Sequence, residues 1–133
     1  MKTIIAEKTY VARESTRIVG ATKREERYFE GGGYAVTWAF GHLVQLAMPD
    51  GYGIRGFVRD NLPVIPDTFT LVPRQVKTEK GYKPDSGVVT QIKTVTRLFK
   101  ESEQIIVATD AGREGELIFR YLYHYTGCAT PFV

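Results

Sequence analysis

Ile105-Ile106-Val107-Ala108-Thr109-Asp110-Ala111-Gly112-Arg113-Glu114-Gly115-Glu116 is the stretch on which the reading of this chain turns. A short apolar run meets a carboxylate, turns through small residues and opens an amphipathic segment that continues to Tyr125. That is a strand feeding a helix, with acidic groups gathered at the strand's carboxyl end. In open α/β sheets this edge is where ligands bind. An arginine set between acids and flanked by Gly112 and Gly115 suits a site that handles a metal ion and a phosphate together.

Outward from this stretch, Gly127 stops the helix, which is predicted over about 114–126. Upstream, Ser86 is positioned to cap a helix whose inward face is Val88, Val89, Ile92, Val95 and Phe99. Thr3-Ile4-Ile5-Ala6 reads as a short buried strand ending at Glu7-Lys8. The following segment puts Val11, Ala12, Ser15, Ile18 and Val19 on one helical face, with Thr9 as N-cap and Gly20 as stop. Lys23 to Arg27 reads as a solvated charge run, Gly31-Gly32-Gly33 as a hairpin tip, and Tyr34 to Phe40 as a strand around Trp38. Residues from about 47 to 86 are the least regular, with one strand-like piece at Thr68 to Val72, and read as a long insertion within one domain. The alternation of strands and helices predicts an α/β layered fold with a largely parallel sheet.

The bulk numbers fit that picture. With 133 residues the chain has room for one domain with a real core. A net charge of +3 permits a polyanionic partner without demanding one. The one cysteine, Cys128, excludes an internal disulfide and fits a reducing compartment. No apolar run approaches the length of a membrane span and no signal-peptide pattern is present, so the expected location is cytoplasmic, with no membrane partner.

The residues that carry chemistry lie at strand ends. If the first and last strands are neighbours in a parallel sheet, Glu7 and Asp110 leave the same edge side by side. One such carboxylate can act as general acid or base while others hold a metal. Asp110 and Glu114 offer the hard oxygen ligands that magnesium prefers, with water completing the octahedron. The same acids could instead cap the helix and complement its dipole. Arg113 could pair with them, or offer its planar fork to a phosphate at the helix N-terminus. His42, between Gly41 and Leu43, reads as a structural hydrogen-bonder near the site. His124 reads as helix surface. Two histidines and one cysteine do not make a zinc site.

Glu7-Lys8 after a first strand, Gly41-His42-Leu43 after a Trp-bearing strand, and Asp110-Ala111-Gly112-Arg113-Glu114-Gly115-Glu116 after a late strand together resemble the Toprim domain of type IA DNA topoisomerases. The likeness is nearest to bacterial topoisomerase III enzymes and covers essentially the whole chain. It implies a Toprim fold, a four-stranded mainly parallel sheet with helices on both faces, with a long insertion. It also implies a role in cleaving and rejoining one DNA strand with magnesium. By the resemblance Glu7 is the acid/base at the leaving 3′ oxygen, and Lys8 and Arg113 steady the scissile phosphate. Asp110 and Glu114, with Glu7, hold the metal. DNA contact is expected from Lys8, Arg13, Arg17, Arg113 and Arg120.

Three departures bear on that expectation. Gly112 stands where the family normally has a third acidic residue, which predicts weaker magnesium binding. Thr9-Tyr10 replaces the usual Pro-Ser after Glu7-Lys8 and brings a bulky ring near the site. The family's nucleophile is a tyrosine in a separate downstream domain, and none of the eight tyrosines here lies in a matching segment. The chain therefore reads as one Toprim domain over 1–133, the N-terminal part of a larger topoisomerase, inactive without the remaining domains. The alternatives are a tyrosine-independent, primase-like or nuclease enzyme, or a degenerate Toprim module that binds nucleic acid or a partner without catalysis.

Overall fold

The computed structural model describes residues 1–56 and 58–133. Its strands and helices run β1 (Lys2–Ala6), α1 (Thr9–Val19), β2 (Lys23–Arg24), β3 (Phe29–Gly31), β4 (Tyr34–Trp38), β5 (Val44–Leu46), β6 (Leu71–Pro73), β7 (Gln75–Thr78), β8 (Gly81–Pro84), α2 (Ser86–Glu101), β9 (Gln104–Ala108) and α3 (Arg113–Thr126). Short 3-10 turns lie at Pro49–Tyr52 and Arg59–Asn61.

The unbroken run Thr3 to Ala6 carries no charge on either face, as a strand buried on both sides requires, and β1 lies inside the main sheet. That sheet has the order β2-β3-β4-β1-β9. β1 pairs in parallel with β4 and with β9 over five residues each, while the antiparallel ladders at β2–β3 and β3–β4 are shorter. The α/β class and the mainly parallel sheet hold as expected. The strand count is five and not four, because the glycine run folds β3 back on β4 and brings β2 with it. That turn cannot carry side chains: a Cβ on Gly32 would lie 2.3 Å from the Val19 carbonyl oxygen, so the tip seats directly on the end of α1.

Side chains alternate across the sheet and define two cores. Ile5 and Ile105 face α2 and α3, meeting Val88, Ile92, Val95, Phe99, Ile118, Phe119 and Leu122. Ile4, Ala6 and Val36 face the other way, onto α1 through Ala12. Helices thus cover both faces. Phe99 and Phe119 are fully buried with ring centroids 6.4 Å apart, each contributing roughly 1.5–3 kcal/mol by burial. The sheet edges are blunted. Exposed Lys23 and Arg24 form one edge, and the backbone of residues 131–133 hydrogen-bonds along β9 at the other.

Four local expectations are corrected. Lys8 is the N-cap of α1 and Thr9 its first helical residue, and the Lys8 side chain makes no capping hydrogen bond. Ile18 is 85% exposed. α1 packs through Ala12 and Thr16, and two residues beyond Thr16 is about 200° round the helix. Asp85, not Ser86, caps α2, its carboxylate accepting from the amides of Gly87 and Val88 at 3.0 and 3.4 Å. The insertion is also more ordered than its composition indicates. The strand-like piece is β6, shifted to Leu71–Pro73 and paired with β5, and a separate β7–β8 ribbon follows it. Strands of three or four mixed residues carry too little alternation to be read from sequence. Among the described residues no helix is long and apolar enough to cross a membrane.

Candidate functional site

The parallel register brings three strand ends to one level: Ala6 stands beside Trp38 on one side and Ala108 on the other. The loops leaving those ends carry Glu7-Lys8, Ala39 to Leu43, and Thr109 to Gly112. Glu7 is 8% exposed, and its Oε2 accepts the Asp110 backbone N–H at 3.2 Å. The bond joins the Glu7 carboxylate to the main chain at position 110 and does not involve the Asp110 carboxylate. The bond also orients the turn into α3, since Gly112 N–H then donates to the Asp110 carbonyl at 2.8 Å.

Gly115 makes this turn possible. A Cβ there would lie 2.1 Å from the Asp110 carbonyl oxygen and 2.8 Å from its nitrogen, so the turn lies directly on the first turn of α3. The sequence held one signal of this: a glycine inside an otherwise strong helix start costs about 1 kcal/mol and calls for a packing reason. Gly112 differs. Its φ of −158° suits any residue, and a Cβ there would meet nothing within 4 Å.

Two helices point their N-termini at this edge. α1 opens from Lys8 and α3 from Gly112, and neither N-cap provides a side-chain hydrogen bond. The first-turn amides therefore stay available to an anion, with the helix dipoles favouring negative charge. Asp110 does not cap α3, which removes one of its two expected structural roles; Glu114 and Glu116 do lie in the first turn. Lys8 and Arg113 are exposed and form no ion pair among the described residues. Arg113 thus leaves its fork free, in line with the phosphate alternative. The Tyr10 ring, 65% exposed, stands on the first turn of α1.

The third loop adds His42. Its Nε2 lies 2.5 Å from Glu114 Oε1, tying the loop after β4 to the start of α3, and its ring packs against Tyr121 at 6.4 Å. The loop is held on both sides. Leu43 is buried, and Phe40 adopts φ +37°, a strained value for a non-glycine residue. Beneath it, the Gln91 amide of α2 donates to the Trp38 carbonyl at 2.7 Å and to Thr37 at 3.1 Å. Sequence reasoning missed this anchor, because one glutamine on an apolar helix face has no distinctive signal.

The remaining basic candidates lie farther off. Arg13 and Arg17 are exposed on α1, Arg17 with Glu14 at 3.4 Å. Arg120 pairs with Glu116 at 2.6 Å and lies over the Phe132 ring.

Glu7, Asp110 and Glu114 are the groups at this edge able to hold a cation. Among the described residues no three acidic, histidine or cysteine side chains are preassembled around one point. The set still fits magnesium in kind, because that ion keeps several waters and takes only one or two carboxylates. Glu114 Oε1 is engaged by His42, which leaves its other oxygen free for the ion.

Comparison with known proteins bears on the family of the chain. The Toprim domain profile matches residues 2–132. The chain is 38% identical over 130 residues to DNA topoisomerase 3 of Bacillus subtilis, covering 96% of this chain and 17% of that protein. It is 40% identical over 130 residues to the enzyme of the same name from Bacillus licheniformis, and 41% over 121 residues to that of Bacillus thuringiensis. It spans less than a fifth of the length of these curated relatives.

Proposed function

The chain belongs to the Toprim domain family, and from that premise we propose that it supplies the acid/base and cation-holding part of a type IA DNA topoisomerase, an isomerase that opens and reseals one DNA strand. One observation carries the reading: the Glu7 carboxylate accepts the main-chain N–H of Asp110, 103 positions away in sequence, which sets both residues at the carboxyl edge of neighbouring parallel strands. Packing alone does not require both of these adjacent strand ends to lead into acids.

Each residue has a task that follows from its place. Glu7, buried at the edge, gives the proton to the leaving 3′ oxygen and takes it back on resealing. Lys8 and Arg113 stand at the two uncapped helix starts, where positive charge and free amides offset the charge of the scissile phosphate. Asp110 and Glu114, with Glu7 at hand, would hold magnesium, which when bound supplies further charge neutralisation beside the phosphate. His42 orients Glu114 by its hydrogen bond. Arg13, Arg17 and Arg120 extend the contact with a single-stranded DNA segment along the helices. The covalent nucleophile, a tyrosine, comes from the remaining topoisomerase domains, and the working compartment is the cytoplasm.

Magnesium titration of the chain by calorimetry, against Asp110→Asn, tests this reading. The expected result is saturable binding by the parent and affinity lower by about tenfold, roughly 1.4 kcal/mol, in the variant. Equal heats from both, or none from either, favour a second reading: a module that binds nucleic acid or a partner without catalysis. Gly112 in the acidic loop and the lack of a preassembled cluster among the described residues speak for that second reading.

A further inference from the structure

The insertion folds a small cleft of about 230 Å³ between the 3-10 turn at Pro49–Tyr52 and the β7–β8 ribbon, lined by Ala47, Met48, Asp50, Val72, Gln75 and Tyr82. Pockets that enclose drug-sized molecules run to roughly 300–1,000 Å³, so this one suits a single ring system. Its walls are of two kinds. Met48, Ala47 and Val72 are apolar, and the half-exposed Tyr82 ring contributes a flat face. Asp50 and Gln75 offer a carboxylate and an amide, groups that hydrogen-bond the edge of a heterocycle.

The ribbon around the cleft is basic. Lys77 is the direct cross-strand partner of Tyr82, so the two side chains share a face of the ribbon. Lys80 lies in the turn between the strands beside Glu79, while Lys83, next to Tyr82 in β8, is on the other face of the ribbon. All three lysines are exposed and form no ion pair among the described residues. Among the described residues the ribbon pairs with no further strand, so nothing in the sheet accounts for an exposed tyrosine beside two free lysines.

The root of the ribbon is tied to the candidate site. Arg74 donates its backbone N–H to the Leu43 carbonyl at 2.8 Å, lies over the Phe40 ring and reaches Asp85 at 3.6 Å. Gln75 N–H donates to the Gln45 side chain at 3.3 Å. The cleft is therefore carried on the loop that holds His42.

We propose that this cleft takes one unpaired nucleobase of a single-stranded nucleic acid, stacked on Tyr82, while Lys77 and Lys80 contact the flanking phosphates. Unpaired bases stack on aromatic rings without regard to sequence, and lysines supply the backbone attraction. The partner class rests on the proposed DNA role, which the cleft extends beyond the strand-edge acids.

The test is fluorescence anisotropy of labelled oligo(dT) with the 133-residue chain in EDTA. Without magnesium the outcome does not depend on the carboxylate site, whose own test uses no DNA. Tyr82→Ala is expected to weaken binding by about tenfold, the scale of one lost base–aromatic stack. Tyr82→Phe should retain affinity. Lys77→Gln should lower the slope of log affinity against log salt by about 0.7. Binding of a duplex, whose bases are already paired, should not change with Tyr82→Ala. Unchanged affinity of Tyr82→Ala for oligo(dT), an equal loss on duplex, or no binding by the parent chain overturns the proposal. Circular dichroism of Tyr82→Ala, a half-exposed position, verifies that the fold persists.

Discussion

The strand-edge site and the insertion over about 47–86 are built on opposite terms. At the edge, Glu7 is buried, Asp110 is hydrogen-bonded to it, and Gly115 admits the turn only because it lacks a side chain. The insertion leaves Ile65, Phe69, Val58, Leu62 and Tyr82 more than half exposed; only its β6 end reaches the core, through Leu71, and the β7–β8 ribbon stands as a separate two-stranded ladder. Isolated two-stranded pieces are marginal in water, so the insertion depends on its anchors, chiefly Arg74 and Asp85. The comparison separates geometry locked by packing from a surface free to adapt to what it meets.

Substitutions can break or sharpen this contrast. The largest effect is expected from Gly115→Ala. Its methyl group would meet the Asp110 backbone at 2.1 Å, and relief requires moving the acidic turn away from Glu7. Overpacking of this kind costs about 3 kcal/mol. Urea unfolding should show that loss, and a stability matching the parent would mean that the edge is as pliable as the insertion.

Gly112→Asp should act in the opposite direction and more weakly. The position is open and its backbone extended. An aspartate can therefore cap α3, for a few tenths of a kcal/mol, and add a carboxylate where the acidic turn lacks one. Magnesium affinity measured by calorimetry should rise by roughly tenfold, about 1.4 kcal/mol. Unchanged affinity would remove Gly112 as the cause of a weakened site.

The smallest effect is expected in the ribbon. Val76 is 37% exposed, and Val76→Thr should stay within about 0.5 kcal/mol of the parent in the same urea experiment. A loss above 1 kcal/mol would show that the ribbon packs as tightly as the edge and would dissolve the contrast.

The fold was legible where residues repeat a pattern over a whole element. The apolar runs of β1 and β9, the inward face of α2 and the glycine stops of α1 and α3 all follow from local periodicity and turn chemistry. Misreadings clustered where a choice lies between adjacent residues. Asp85 and Ser86 both suit an N-cap, and only the point at which the backbone leaves the extended region decides between them. Ile18 was placed inward by hydrophobicity, yet α1 rests on small residues and leaves it in solvent. Of the candidate site, the acidic turn and Glu7 could be named from sequence. The link between His42 and Glu114, and the support of the loop by Gln91, could not.

The chain's own residues determined that strands would end in acids, that α3 would begin in a glycine-bearing acidic turn, and that a layered α/β fold would result. Those properties depend on neighbours within a few positions. Tertiary structure alone decided that Glu7 would meet Asp110, that His42 would reach Glu114, and that Tyr82 would close a cleft against Met48. Such contacts depend on ladder register and on packing summed over both faces of the sheet, a balance of many small burial terms that no local stretch of sequence carries.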